Sequence, residues 1–295
     1  NKFQSNCEDL RITGVDGNLL PFWIEENNPG CGDANTKVWV KLPSIPSSGT
    51  YIYAYYGNPS ASMSSDHDGN KVFEFFDDFE SYQLNQPPPD YTVKGTATAL
   101  IKDSSGKKVL EFYSASTGTF IFKNDLNLTD FRLHSSAAAS NNYFALITRV
   151  QNTDLRNFYA YNYGANTSTK RYFRYVNDVA YNITSISESW NNSQFYPISI
   201  KSIGNTISFY DNDTLKASTT WTDFSSGSIG IANGGTNITQ QFRYFFVTKT
   251  ATTDPTTSAQ TEEVGPGPVA YWKFDEGTGN TANDSTSNSN HGSLS

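Results

Sequence analysis

Apolar and polar residues alternate along much of the chain. Val38, Val40 and Leu42 interleave with Lys37, Trp39 and Lys41, the period of two expected of a half-buried strand. Leu10–Thr13 and Leu19–Glu25 read as strands before it, and Asn27-Asn28-Pro29-Gly30 as a loop. Tyr51–Tyr56 follows as a strand stopped by Gly57-Asn58-Pro59, and Ser60–Asn70 reads as an exposed connector. From Val72 onward, strands are predicted at Phe73–Phe79, Lys108–Phe112, Thr119–Lys123, Tyr143–Val150, Asn157–Tyr163 and Lys170–Val176. Further ones follow at Tyr196–Ser202, Thr206–Tyr210, Thr214–Ala217, Ser228–Ala232 and Phe242–Thr248, with Asp211-Asn212-Asp213 as a hairpin tip. No run of helix formers with a 3.6-residue period and caps is present. This spacing predicts an all-β chain: an antiparallel two-sheet β-sandwich over residues 73–250, preceded by a smaller β domain over 1–72. Residues 251–268 are rich in Thr, Pro and Gly and read as a linker. Residues 269–295, restarting at Ala270-Tyr271-Trp272-Lys273-Phe274, are too short to fold alone, and are expected to open a further module or to donate a strand.

Composition supports strands over helices, with 18 Tyr and 20 Phe against one Met. The net charge of −8 and the lack of any Lys/Arg block argue against binding to nucleic-acid phosphates. No stretch of apolar residues is long enough to span a membrane as a helix. The chain begins at Asn1 with no signal peptide before it, which suggests a processed or excised product. Cys7 and Cys31 form either one structural disulfide or two reduced thiols. Sequons bear on that choice: Asn127, Asn166, Asn182, Asn191, Asn212, Asn237 and Asn283 each head Asn-x-Ser/Thr. Seven of them, all after residue 120, favour an exported, glycosylated surface protein with a disulfide.

Three stretches resemble known families. Cys7-x-Asp9-Leu10-Arg11-Ile12, Leu20-Pro21-Phe22-Trp23-Ile24-Glu25, Val38-Trp39-Val40-Lys41-Leu42-Pro43 and Tyr53-Ala54-Tyr55-Tyr56-Gly57-Asn58-Pro59 resemble a small β domain of unassigned function from archaeal and bacterial surface proteins. That domain usually starts some strands earlier, so the chain is expected to enter it partway. Phe75-Phe76-Asp77-Asp78-Phe79, Gly227-Ser228-Ile229-Gly230-Ile231 and Tyr244-Phe245-Phe246-Val247 resemble a concanavalin/laminin-G-like jelly roll. Trp272-x-Phe274-Asp275-Glu276-Gly277-x-Gly279, Asp284-Ser285 and Asn290-His291-Gly292 resemble the opening of a laminin-G-like module. Together these resemblances imply tandem, extracellular, lectin-like architecture.

In the resembling sandwiches the position of Asp77-Asp78 lies near a structural calcium. Ca2+ is the one cofactor that this resemblance implies, although Arg243 stands about where those sandwiches place an acidic partner. An ordinary hydrogen-bonded turn is the reading the residues favour. Asp66-His67-Asp68-Gly69-Asn70 resembles the start of a calcium loop, but the distal Glu is out of register, and a solvated loop is expected. His67, His134 and His291 fall in different segments, and no nucleophile elbow, zinc pair or phosphate loop accompanies them. Strand neighbours such as Asp77 and Asp78 point to opposite faces and cannot flank one glycosidic bond. An enzyme is therefore not expected; were activity present, Asp77, Asp78 and Glu188 would be the acids to test. A sugar-stacking platform is the leading binding site. Tyr159, Tyr161 and Tyr163 share one strand face, and Tyr172 and Arg174 share another. Such a stripe is more often core or cross-strand packing. The expected function is that of a non-catalytic, extracellular, lectin-like glycan-binding or adhesion module, its partners being glycans or other surface proteins. A self-associating filament or surface-layer subunit built by strand exchange is the second reading, and a module of a polysaccharide-degrading enzyme the third.

Overall fold

The computed structural model describes residues 2–25, 31–32, 36–139, 143–153, 155–164, 169–188, 194–251, 253, 255–260, 271, 273, 279–286 and 288–293. Short strands build the first part: β1 (Arg11–Gly14), β2 (Phe22–Glu25), β3 (Lys37–Val40) and β4 (Ile52–Tyr55). β1 pairs with β4 and β2 with β3, both antiparallel. A one-turn helix α1 (Gly69–Val72) starts at Asp68, whose carboxylate accepts the Asn70 amide. The sandwich strands follow: β5 (Phe75–Asp77), β6 (Tyr91–Lys94), β7 (Ala97–Ser104), β8 (Lys107–Ser114), β9 (Thr119–Lys123), β10 (Phe131–Ala139), β11 (Tyr143–Val150) and β12 (Phe158–Gly164). They continue with β13 (Thr169–Val176), β14 (Val179–Ser187), β15 (Tyr196–Ile203), β16 (Thr206–Asp211), β17 (Thr214–Thr220), β18 (Ser228–Asn233) and β19 (Ile238–Thr248).

These strands form two antiparallel sheets. One runs β17-β16-β15-β10-β19-β8-β7, with β5 also paired to β19; the other runs β14-β13-β12-β11-β18-β9-β6. Their facing sides supply the main core, including Phe112, Phe131, Leu146, Phe209, Ile231 and Phe242. The expected all-β antiparallel sandwich is therefore the fold. Several strands are apolar on both sides. Phe120, Ile147, Phe158 and Phe173 form a second buried cluster on the opposite face of the β11–β18 sheet. Tyr244 and Phe246 do the same on the outer face of β19, where they meet Trp23 and Phe73.

That last cluster joins the first four strands to the sandwich. The Trp23 ring stands edge-on to Phe76, Tyr244 and Phe246, with centroids 5.1, 5.5 and 5.4 Å away. The buried Glu25 carboxylate accepts hydrogen bonds from Trp39 Nε1 and the Tyr244 hydroxyl, each at 2.8 Å. Residues 1–252 accordingly form one compact unit, and the boundary expected at 72/73 falls inside it.

The exposed connector expected over Ser60–Asn70 is a correction. Its second half is stitched to β2: the Phe22 amide donates to Asp66 O and the Asp68 amide to Phe22 O, at 2.9 and 3.0 Å. His67 Nε2 accepts the Ile24 amide at 3.2 Å. Gly69 is buried, and a Cβ there would overlap the Phe76 ring. Asp68 thus caps a helix turn.

Cys7 and Cys31 form a disulfide, with Cα atoms 5.5 Å apart. The second unit, residues 253–295, contains the short pair β20 (Thr281–Ala282) and β21 (Gly292–Ser293). There Asp284 accepts the amides of Tyr271, Thr286 and Asn290, and His291 Nδ1 accepts the Asp284 amide. Ala270, Trp272 and Phe274 of the expected donated strand lie outside the described residues, as does most of the expected linker beyond residue 260.

Candidate functional site

The expected Tyr platform is buried, a second correction. Tyr159, Tyr161 and Tyr163 sit opposite Arg174, Tyr172 and Lys170 in the β12–β13 register, and all three tyrosines belong to the core between the sheets. Tyr172 packs on the same core against Phe209. Arg174 pairs with Asp223 and lies over the Tyr181 ring. The tyrosine hydroxyls serve structure: Tyr159 accepts the Phe224 amide, and Tyr161 donates to Asp211 at 3.1 Å.

Glu188 stands at the exposed rim of the same corner. Lys170 contacts both Asp211 and Glu188, and Lys216 reaches Glu188 at 2.7 Å. Lys170 is 1% exposed and Asp211 3%, so desolvation weighs on both charges; their mutual contact, Glu188 beside Lys170 and the Tyr161 hydroxyl on Asp211 offset it. The lysines hold the Glu188 carboxyl below its ordinary range, Lys170 first. It is an ion-pair partner in this arrangement.

Asp77 is buried on β5. Its carboxylate accepts the Phe79 amide at 3.0 Å and the hydroxyls of Tyr82 and Tyr91 at 2.9 Å each. Burial raises its pKa, opposed by these three donors. Burial, and then Asp77, raise both tyrosines in turn, so their hydroxyls stay protonated and donate. Calcium asks for six or more oxygen ligands. Asp77 is instead surrounded by donors, so the residues present do not fit the expected ion. Among the described residues, no group of three or more His, Cys, Asp or Glu could hold a metal.

Asp77 and Asp78 nevertheless open onto a cavity of about 320 Å3 with a predominantly polar lining. Its aromatic surfaces are Trp23, Phe76 and Tyr82. Its polar groups are His67, Asp68, Asn70, Asp78 and Ser81, with Gly69 and Asp77 completing the wall. Two stretches named separately in the sequence, Asp66–Asn70 and Asp77-Asp78, are thereby brought to one cleft by the stitching of the connector to β2. Trp23 and Ser81 carried no functional signal in the sequence. Trp23 reads as a core residue of a short strand, and it is one on its other side.

The sequons Asn127, Asn212, Asn237 and Asn283 are exposed. Asn182 lies on β14, and Asn166 and Asn191 fall outside the described residues. No helix among the described residues is long and apolar enough to cross a membrane.

Residues 6–88 match a family described as a domain of unknown function, DUF2341. Every residue lining the cleft lies inside that stretch. No curated protein matches the chain. Among solved structures, carbohydrate-binding module CBM66 from Bacillus subtilis is similar at 22% identity, over 55% of this chain and 96% of that one, with a TM-score of 0.44. A Bacillus licheniformis β-glucanase is similar at 14% identity, over 60% and 98%, with a TM-score of 0.44. Galectin LEC-6 of Caenorhabditis elegans is similar at 15% identity, over 47% and 95%, with a TM-score of 0.34.

Proposed function

We propose that this protein is a non-catalytic, extracellular surface protein that binds a glycan in the cleft between Trp23 and Asp78. The cleft's composition carries the reading: aromatic side chains line one half-open cavity together with carboxylate, amide, imidazole and hydroxyl groups. Sugar rings present C–H faces that stack on aromatic side chains and hydroxyls that bond such polar groups. The volume lies at the small end of ligand sites and suits a mono- or disaccharide unit. With Asp68, Asp77 and Asp78 on its wall and a net charge of −8, it favours a neutral glycan over an acidic one. The disulfide and the four exposed sequons support export. Asp77 is held by three donors and Glu188 by two lysines, so neither is arranged as a general acid or base in this reading.

Calorimetric titration against a panel of neutral oligosaccharides tests the proposal. Asn70→Ala and Asp78→Ala are each expected to weaken binding by about tenfold, the loss of one or two direct hydrogen bonds. Absence of binding to every sugar, or variants that bind as tightly as the parent, would overturn it. Release of reducing ends from a bound polysaccharide would overturn the non-catalytic part alone.

A further inference from the structure

The strand β4 lacks the one-sided burial of an ordinary strand. Tyr51, Ile52, Tyr53 and Tyr55 are 64, 41, 40 and 55% exposed, and Ala54 between them is exposed as well. A surface strand normally buries one face and leaves the other to water. We infer that two copies of this chain associate edge to edge through β4, antiparallel about a twofold axis at Ala54.

The hydrogen-bond pattern shows which groups are on offer. The Leu20 amide donates to Ile12 O, and the Gly14 amide to Asn18 O. Ile12 and Gly14 thus turn their polar groups away from β4, and Arg11 and Thr13 turn theirs toward it. Arg11 and Thr13 lie opposite Tyr55 and Tyr53. By the alternation of an antiparallel ladder, Ile52 and Ala54 direct their amides and carbonyls to the open side. β4 ends its two-stranded sheet, so this edge is a template for another strand.

Two features select a second copy as the occupant. Between Lys41 and Asp66 there is no charged residue, so none of the usual edge-blocking charges is present. Two copies can meet here without like-charge contact despite a net charge of −8. The sequence Tyr51-Ile52-Tyr53-Ala54-Tyr55-Tyr56 is also nearly symmetric about Ala54. In the antiparallel register centred there, Tyr53 faces Tyr55 of the partner subunit and Ile52 faces Tyr56 of the partner subunit. Aromatic and β-branched cross-strand pairs of this kind stabilise sheets. The smallest side chain stands at the axis. This is an isologous contact that closes at two copies. It buries roughly 400 Å2 on each, the size of a weak, reversible interface.

Analytical ultracentrifugation of the full chain tests the inference. The parent is expected to dimerise with a dissociation constant on the order of 10–100 μM. Ala54→Pro removes only the outward amide and leaves the bonds of Tyr53 and Tyr55 to β1 in place. Ala54→Lys sets a charge at the axis without touching the backbone, and serves if the proline variant misfolds. Each is expected to weaken dimerisation at least tenfold with an unchanged circular dichroism spectrum. A parent that stays monomeric at millimolar concentration would sink the idea, as would variants that dimerise like the parent. Open-ended polymers would overturn the twofold geometry. A monomer whose retention on a neutral polysaccharide is lost in Tyr53→Ser would also overturn it, and would assign the tyrosine stripe to a ligand. The glycan titration reads different residues, so either proposal can fail without the other.

Discussion

His134 lies parallel to the Phe246 ring at 4.5 Å and edge-on to Trp39 at 5.1 Å, with Thr248 Oγ1 at 3.2 Å from its Nε2. Burial is the main cause that holds its pKa well below the ordinary imidazole value, and the nearby charges of Arg132 and Lys37 add to it. Below the ordinary value near 6.5, the unfolded chain takes up a proton at this position that the folded protein refuses. Stability is therefore fully present above that pH and falls as pH drops below it. Urea denaturation at a series of pH values should show this decline, and His134→Gln should make it shallower. An identical pH profile for the variant would contradict the assignment. Tyrosine hydroxyls make the same point about single residues. Tyr159 and Tyr161 lie in the core because each has a polar partner waiting there, Phe224 N and Asp211. Nothing in their immediate sequence shows that partner, since it is contributed 65 and 50 residues away.

Strands apolar on both sides were legible, and so were β3, β4 and β17, where clean alternation or a turn marks a strand with a wet side. Thr119–Lys123 and Tyr143–Val150 read directly from the sequence because both of their faces are covered. β6, β7 and β14 were missed, and all three stand at sheet edges, where one side is wet and the apolar run breaks up. β10 was missed for the opposite reason. It sits between β15 and β19 near the middle of its sheet, but its second half is Ser135-Ser136-Ala137-Ala138-Ala139, residues of low strand preference chosen for a crowded place. At the end of β16, Asp211 and Lys170 form a buried ion pair whose members come from different sheets. Lys170→Met strips the buried Asp211 of its paired lysine, leaving the Tyr161 hydroxyl and the Lys216 charge, and should lower unfolding stability by about 3–5 kcal/mol. Lys170→Met combined with Asp211→Leu should recover most of that loss. Chemical denaturation of the three variants reads both outcomes, and equal losses in single and double variants would refute the coupling.

At the scale of the molecule, the first seventy residues are held to the sandwich by the Trp23 cluster, by Glu25 and by the ion pair of Lys37 with Asp213, a carboxylate that Arg132 also contacts from within the sandwich. The partly exposed ion pair contributes little, and the apolar cluster dominates. The Cys7–Cys31 bond spans 24 positions of the chain within this part. On the chain-entropy account, Cys31→Ser or mild reduction should lower stability by about 3 kcal/mol. Calorimetry under reducing and non-reducing conditions checks it, and an unchanged midpoint would contradict it. Local alternation and aromatic content were enough to establish an all-β chain with a sandwich, because period-two burial is written residue by residue along each strand. They could not say which face of a strand is covered. Tyr51-Tyr53-Tyr55 and Tyr159-Tyr161-Tyr163 carry the same alternation, yet the first triplet is exposed and the second is core. That difference, and the meeting of Asp66–Asn70 with Asp77-Asp78 in one cleft, depend on which sheet lies across which strand. Burial is a property of what arrives from elsewhere in the chain, so only the tertiary structure could decide it.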